Sequence, residues 1–225
     1  MGSSFLSLND KATVAAFGAL AKKQGIQVNW PVAVPAILRL DAEFKIGKLS
    51  AEDFRSQVKS ILNIKATDNE FDEAWNAMLG DTSRLLNQIR ELKNSLIEQG
   101  ISLILTTSSN PIHIAKLAIR DDAELAEVPF YISYEHQCMH QELYAKIVEN
   151  ENLEPAETYL VVPVAGVNLV PPAKERDEGV QTQICDWAEE NNIHIIEYTL
   201  GKEPLTADLL VNALENKLLC LTMKT

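Results

Sequence analysis

Residues 103–114 read LILTTSSNPIHI, and this stretch separates a helical half of the chain from a half that alternates strands and helices. An apolar run ends abruptly in hydroxyl and amide side chains, and Pro111 then opens a new helical pattern. A buried strand followed by a crossover helix has this pattern in a parallel sheet. Residues 107–110, which end the run, are called the polar tip below. They either bind a ligand or only terminate the strand.

The part of the chain before residue 100 has a helical pattern. Apolar side chains recur at helical spacing over residues 10–24 and again over residues 31–44. The predicted buried stripe of the second helix consists of Val34, Ile37, Leu38 and Leu40. Ser50 and Thr67 are the predicted N-caps of two more helices, because an acidic residue follows each of them three positions later. These four helices, with no strand between them, predict a compact helical module, and a further helix over residues 82–99 precedes the first strand.

From residue 101 onward, short apolar runs alternate with amphipathic segments. The predicted strands cover residues 101–105, 128–133, 158–162 and 193–198. The predicted helices cover residues 111–119, 140–149, 180–190 and 205–216, and residues 218–223 form a possible last strand. Strands that alternate with helices of this length pair in parallel through crossover helices. The predicted fold class is therefore α/β, with a Rossmann-type, doubly wound parallel sheet.

Composition restricts the classes of partner. The 225 residues include 32 acidic and 20 basic side chains, which gives a net charge of -12. This charge repels nucleic acid and anionic lipid, so neither is an expected partner. No apolar run approaches the roughly 18 residues that a membrane span needs, and we expect a cytosolic protein. Its three cysteines, Cys138, Cys185 and Cys220, are predicted to be reduced thiols.

Several segments resemble the helical-cap branch of the haloacid dehalogenase (HAD)-like hydrolase superfamily. They are FKIGKLSAEDFRSQVKSILNI from Phe44, FDEAWNAML from Phe71, LILTTSSNPIHI from Leu103, SYEHQCMHQELYAKIVEN from Ser133 and NNIHIIEYT from Asn191. Residues 71–78 and 110–113 carry the most specific part of the resemblance. It implies a HAD-like core formed by residues 1–9 and 81–225, with a helical cap, residues 10–80, inserted near the N-terminus.

The resemblance also implies four catalytic positions at the carboxyl ends of neighbouring strands. Thr107, followed by Ser108, matches the Ser or Thr that hydrogen-bonds the phosphoryl group. The nucleophilic aspartate falls at Met1, and the strand before it would lie upstream of the chain. We therefore expect a first motif that is either truncated or degenerate. Asp10, the nearest aspartate, is interpreted as a helix cap.

The lysine and the magnesium ligands of the family are missing from the matching positions. The stretch HQCMH, residues 136–140, occupies the place of the lysine, and the next lysine is Lys146 inside a predicted helix. Pro163 and Val164 stand where two magnesium-binding aspartates are expected, and neither has a side-chain oxygen. Residues 177–178, an aspartate and a glutamate, either substitute for that pair or form a solvated charge cluster. We therefore expect no metal and no other cofactor.

Three other features leave alternatives open. The stretch from His136 to His140 could bind a metal ion in either of two conformations. In a helix His136 and His140 share one face, and in an extended segment His136, Cys138 and His140 point the same way. The alternative is a polar surface turn. Residues 170–177 are interpreted as an exposed loop that either contacts a partner or is a spacer. Without the family's first strand the centre of the sheet is open, and residues 3–8, the possible last strand or a second chain could fill it.

Together these features predict a catalytically degenerate HAD-like protein, a pseudoenzyme, that acts by binding a ligand, a protein partner or a second copy of itself. Its ligand site would be a remnant phosphate site at Thr107 and Ser108. The alternative is an active HAD-family hydrolase or phosphatase. That activity would require either a natural chain that starts upstream or another cluster that has replaced the missing groups.

Overall fold

The computed structural model of the chain describes residues 8–164, 173–199, 208, 210 and 212. Its α-helices are Asp10–Lys23 (α1), Trp30–Lys45 (α2), Ala51–Leu62 (α3), Asp68–Asn76 (α4), Leu85–Ile97 (α5), Pro111–Leu117 (α6), Ser133–His136 (α7), His140–Asn150 (α8) and Ala173–Glu190 (α9). Short 3-10 helices are Ala77–Leu79, Ile119–Asp121 and Pro155–Glu157, and the strands are Leu105–Thr107 (β1), Phe130–Ile132 (β2), Tyr159–Val164 (β3) and His194–Thr199 (β4). Within these described ranges, no helix is long and apolar enough to cross a membrane.

Helices α1 to α4 and the short helix Ala77–Leu79 form a helical module, residues 10–79, around an aromatic core. Its central side chains, each at most 5% exposed, are Phe17, Phe44, Phe54, Phe71 and Trp75. The ring centroids of Phe44 and Phe54 lie 4.4 Å apart in a stacked pair, and those of Phe54 and Trp75 lie 4.8 Å apart with one edge toward the other face. Such ring pairs add an electrostatic preference to the burial of apolar area, so they fix how the helices pack.

The predicted helix starts at Ser50 and Thr67 are confirmed. Ser50 Oγ accepts a hydrogen bond from Asp53 N at 3.0 Å. Thr67 and Glu70 form a complete capping box, in which each side chain accepts a hydrogen bond from the other residue's backbone N–H. These bonds satisfy donors that a helix leaves unpaired at its N-terminus. Local sequence alone therefore determines where α3 and α4 begin.

The predicted buried stripe of α2 is partly wrong. The buried side chains of this helix are Ala33, Ile37, Asp41 and Phe44. Leu38, which the periodicity placed in the core, is 49% exposed. Phe44 packs against Phe54 of α3 and against Tyr134 of α7, whose ring centroid lies 5.7 Å from that of Phe44. These tertiary contacts select the buried face of α2, and they bring the charged residue Asp41 inside with it.

The strands form two parallel pairs, as expected for the predicted α/β class. β1 pairs with β2, and Thr107 lies opposite Ile132. β3 pairs with β4, and Val164 lies opposite Thr199. Among the residues that the structure describes, no hydrogen-bonded ladder joins the two pairs.

The two strand pairs nevertheless share a core through α5. Leu92 and Leu96 of α5 are buried together with Ile196 of β4 and with Leu210. Half-buried side chains from the segment before β1 and from β3 pack against them, namely Ile101, Leu103, Tyr159 and Val161. Apolar contacts therefore connect strand pairs that have no common ladder.

The first strand begins later than predicted. Residues 101–104 have the predicted apolar pattern, but pairing starts at Leu105, whose N–H donates to Pro129 O at 2.9 Å. β2 then changes directly into α7 at Ser133. The hydroxyl side chain of Thr107 consequently lies within the strand and not after it. A ladder requires a partner strand, and residues 101–104 contain no information about where that partner begins.

The interpretation of residues 170–177 as a loop is wrong for most of that stretch. α9 begins at Ala173 and continues to Glu190, so the helix is longer than predicted. The run of alanine, lysine, glutamate and arginine that opens it has high helix propensity. The proposed fillers of the open sheet, residues 3–7 and 218–223, lie outside the described residues.

Gly47 and Gly25 provide a matched test of the contact between the end of α2 and α7. Both have a φ of +69°, but a Cβ on Gly47 would lie 2.5 Å from Tyr134 O, whereas nothing lies within 4 Å of a Cβ on Gly25. Backbone strain alone should make Gly25→Ala destabilising by about 1–2 kcal/mol. The added overlap should make Gly47→Ala worse by at least about 1 kcal/mol. Denaturant unfolding measures both, and equal losses would contradict the close approach.

Candidate functional site

The polar tip lies at the carboxyl end of β1, beside the carboxyl end of β2. Thr107 is 8% exposed, and Ser108 next to it is exposed. In the part of the chain that is described, neither hydroxyl has a hydrogen-bond partner. Each can donate one hydrogen bond and accept others. The two residues predicted as a phosphate site therefore lie at an edge of the sheet with unused hydrogen-bonding groups.

Ser133 fixes the backbone of the tip. This fully buried residue follows β2 directly, and its Oγ accepts a hydrogen bond from Ser109 N at 3.0 Å. The same hydroxyl donates to Lys45 O at 2.7 Å, with Ser109 O a second possible acceptor at 3.2 Å. A single side chain thus joins the tip, the end of β2 and the C-terminal end of α2.

Asn110 ends the tip and caps α6. Its side chain is fully buried, and its Oδ1 accepts a hydrogen bond from His113 N at 3.1 Å. Pro111 occupies the first position of α6, where a missing N–H has no structural cost. The Nδ2 of Asn110 has no partner among the residues described. This buried amide therefore offers an unused donor beside the two hydroxyls.

His113 connects α6 to the helical module. Its ring stacks on that of Trp75 at 5.5 Å between centroids, with only 6° between the planes. Its Nδ1 lies 2.8 Å from Asn76 Oδ1, so a neutral ring with the proton on Nδ1 donates to that amide oxygen. Burial, aided by the positive charge of Lys45, lowers the pKa of His113 from 6.5 to about 3. The imidazole is therefore neutral at physiological pH.

The helical module also contributes an ion pair that the sequence interpretation did not include. Lys45 Nζ lies 2.6 Å from Asp41 Oδ2, and the Lys45 side chain is 30% exposed. Asp41 Oδ1 is buried without a partner in the described structure, as is Trp75 Nε1. The sequence signal that could have identified this ion pair is Asp41, an acidic residue one helical turn before Lys45 in a mostly apolar predicted helix. Trp75 is both a core residue and the stacking partner of His113.

The stretch from His136 to His140 has neither of the regular conformations in which it could bind a metal. α7 ends at His136, and both Gln137 and His140 have positive φ values, 54° and 51°. Cys138 is buried, and the ring of His136 stacks on that of Tyr131 at 4.9 Å. Searched over the described residues, the chain has no group of three His, Cys, Asp or Glu placed to hold a metal ion.

The strand end that matches the family's magnesium site does not fit that ion. β3 ends at Val164 after Pro163, in parallel register with the end of β4, and neither residue has a side-chain oxygen for a hard cation. The two acidic residues considered as substitutes, residues 177–178, lie within α9. Lys146, the first lysine after β2, donates from Nζ to His136 O at 2.9 Å. Asp10, interpreted from the sequence as a helix cap, is the first residue of α1, and the N-cap position is occupied by Asn9. An acidic residue in the first turn is favoured by the helix dipole.

A second concave surface lies at the opposite end of β2. It is an open pocket whose lining includes Arg120, Leu125 and Phe130. The Arg120 guanidinium lies 5.7 Å from the centre of the Phe130 ring and forms a bidentate pair with Glu135 at 2.5 Å. Since this cation is already paired and the pocket is at the amino end of the strand, the polar tip is the better candidate site.

His113 should make the stability of the protein dependent on pH. The pKa of His113 in the folded protein is below that of an unfolded histidine. As the pH falls below about 6.5, the histidine therefore becomes protonated in the unfolded chain but stays neutral in the folded chain. The free energy of unfolding should therefore decrease between about pH 7 and about pH 5, by at most about 1.4 kcal/mol per pH unit from this residue. In urea unfolding, His113→Gln should show a smaller decrease than the wild type. An unchanged pH dependence would show that His113 is not a buried neutral ring.

No family model and no curated protein matches the sequence, but solved structures match most of the chain. The magnesium complex of a HAD family enzyme from Bacteroides thetaiotaomicron has a TM-score of 0.66 at 16% identity, over 90% of this chain and 92% of that chain. An aspartate-to-alanine mutant of that enzyme, in complex with magnesium and inorganic phosphate, has a TM-score of 0.63 at 17% identity, over 88% and 91%.

A predicted HAD-like family hydrolase from Porphyromonas gingivalis is similar to the same degree. Its TM-score is 0.62 at 16% identity, over 92% of each chain. Identities this low establish a common fold, while activity depends on the residues of the site. With its helical module, parallel strand pairs and crossover helices, the chain has the HAD-like fold.

Proposed function

We propose that this chain is a HAD-like protein with degenerate catalytic motifs, a pseudoenzyme that acts by binding a ligand or a partner and not by phosphoryl transfer. The observation that carries the proposal is the chemistry at the polar tip. Unused hydrogen-bonding groups of Thr107, Ser108 and Asn110 lie together there, whereas β3 ends in Pro163 and Val164, which have no carboxylates. Donors alone, with no metal-binding group among the described residues, are suited to binding and not to turnover.

The ligand class that fits the tip is a small oxyanion such as phosphate. The hydroxyls of Thr107 and Ser108 and the amide of Asn110 are donors, and hydrogen bonds to a charged acceptor are the stronger kind. The related enzyme from Bacteroides thetaiotaomicron has been solved with inorganic phosphate, which supports a phosphate site in this fold. Binding would need no magnesium, and we propose that the protein uses no cofactor. We also propose a cytosolic location, which the small, odd number of cysteines in the sequence, three, favours.

The proposal predicts that the protein binds inorganic phosphate through Thr107. Thr107→Val removes the hydroxyl but keeps the shape of the side chain, so phosphate affinity measured by calorimetry should fall by about ten-fold, the value of one hydrogen bond to a charged group. Ser108→Ala should weaken binding in the same direction. Ser102→Ala, an exposed serine before β1, is the matched control and should bind as the wild type does.

The same proteins distinguish binding from catalysis. A general chromogenic phosphate ester should not be hydrolysed, with or without magnesium. Hydrolysis that disappears in Thr107→Val would favour the alternative, an active HAD-family hydrolase with unusual or truncated motifs. Absence of phosphate binding by the wild-type protein would exclude the anion site itself.

A protein partner or a second copy of the chain is the other binding mode that we propose. The outer face of α2 exposes Val32 to 66% and Leu38 to 49%, and exposed apolar groups of this kind are more frequent in binding surfaces. If a second copy covers this face, light scattering should show a dimer that Leu38→Glu converts into a monomer. Ile97→Glu, on α5 and also exposed, at 56%, should leave the dimer intact. A wild-type monomer at all concentrations would exclude self-association.

A further inference from the structure

We infer that Lys45 of the helical module supplies the positive charge that binds the anionic group of the ligand at the polar tip. The inference rests on the proposed function, since it assigns a further binding residue to the same site. The ligand class is a phosphate or a comparable small oxyanion. The residue comes from the helical module and not from the stretch after β2 where the family's lysine was expected.

The backbone of Lys45 is held close to the tip. Its carbonyl accepts a hydrogen bond from Ser133 Oγ at 2.7 Å, and Ser133 Oγ in turn accepts one from Ser109 N at 3.0 Å. The next turn is fixed as well, because Gly47 approaches Tyr134 O so closely that no Cβ would fit. The backbone of Lys45 is therefore linked to that of the tip by two hydrogen bonds that share one atom, Ser133 Oγ.

The charge of Lys45 acts on two histidine rings of the α/β half of the chain. Its charge contributes to lowering the pKa of His113 in α6 and of His140 in α8, after the larger effect of burial in each case. These residues belong to different helices, one that begins directly after the tip and one that follows α7. The ammonium group is therefore within electrostatic range of His113, whose backbone N–H donates to Asn110 Oδ1 of the tip at 3.1 Å.

Lys45 has N–H donors to spare beside its ion pair. An ammonium group has three N–H bonds, and Asp41, at 2.6 Å, is the partner that the described structure provides. Lys146 donates to the carbonyl of His136, and Arg120 is held by both oxygens of Glu135. An anion at the tip can therefore be contacted by Lys45 without breaking its ion pair.

Asp41 should limit the affinity of the site. Its carboxylate neutralises Lys45 and, being 8% exposed, lies in a low-dielectric region where it repels an incoming anion more strongly than a surface carboxylate would. Its Oδ1 is buried without a partner in the described part of the chain. Removal of this negative charge should free the ammonium group for the ligand.

Calorimetric titration of the full chain with inorganic phosphate tests the assignment. Lys45→Gln should weaken binding by about ten-fold or more, and Lys45→Arg should restore most of it. Lys48→Gln makes the same change of charge three residues away on an exposed side chain and should bind within about two-fold of the wild type. Asp41→Asn should bind more tightly than the wild type by several-fold.

The outcomes separate the two proposals. If the wild-type protein binds phosphate and Lys45→Gln binds it equally well, Lys45 is not the binding cation, and the anion site stands without it. If the wild-type protein does not bind phosphate, the proposed function fails and this assignment fails with it. Histidine titration by NMR without any ligand gives an independent check, since Lys45→Gln should raise the pKa of both His113 and His140. Unchanged values in a folded variant would overturn the placement of the ammonium group.

Discussion

The buried hydroxyl of Ser133 is the contact on which the arrangement of the sheet edge depends. It accepts a hydrogen bond from Ser109 N and donates to Lys45 O, so a single oxygen joins the polar tip, the end of β2 and the end of α2. Without it, the buried N–H of Ser109 would lose its partner, at a cost of about 1–3 kcal/mol. The position of the helical module relative to the strands is therefore set by a polar contact beside the candidate site, in addition to apolar burial.

The same interface leaves polar groups unpaired. Asp41 Oδ1, Trp75 Nε1 and Asn110 Nδ2 are buried without partners among the described residues, although buried polar groups in folded proteins are normally satisfied. Trp75 stacks on His113, Asn110 accepts from His113 N, and Asp41 pairs with Lys45. Two of these residues thus contact His113 directly, and Asp41 pairs with Lys45, whose carbonyl is linked to the tip through Ser133. Unpaired groups at one interface are understandable if a ligand or ordered water completes their hydrogen bonds.

Some elements could be predicted because their causes are local. Ser50 and Thr67 cap α3 and α4 through residues three positions away, and Asn110 with Pro111 begins α6 in the same manner. The buried face of α2 could not be predicted, since Phe44 packs against Tyr134, about 90 residues later in the chain. The start of β1 depends likewise on Pro129 in another segment. Thr107 and Ser108 were found as a polar strand end, whereas Lys45 and Asp41 had no motif to identify them.

By itself, the sequence determined the helical first half, the alternating α/β second half and the polar strand end, because helix caps, periodicity and turn residues act over a few positions. It also determined which chemical groups are available, including the proline and valine at the end of β3. Only the tertiary structure decided that the end of α2 meets the tip through Ser133 and that Trp75 stacks on His113. The physical reason is that a site is formed by side chains from distant parts of the sequence. The packing that brings them together minimises the free energy of the whole fold and not that of any single segment.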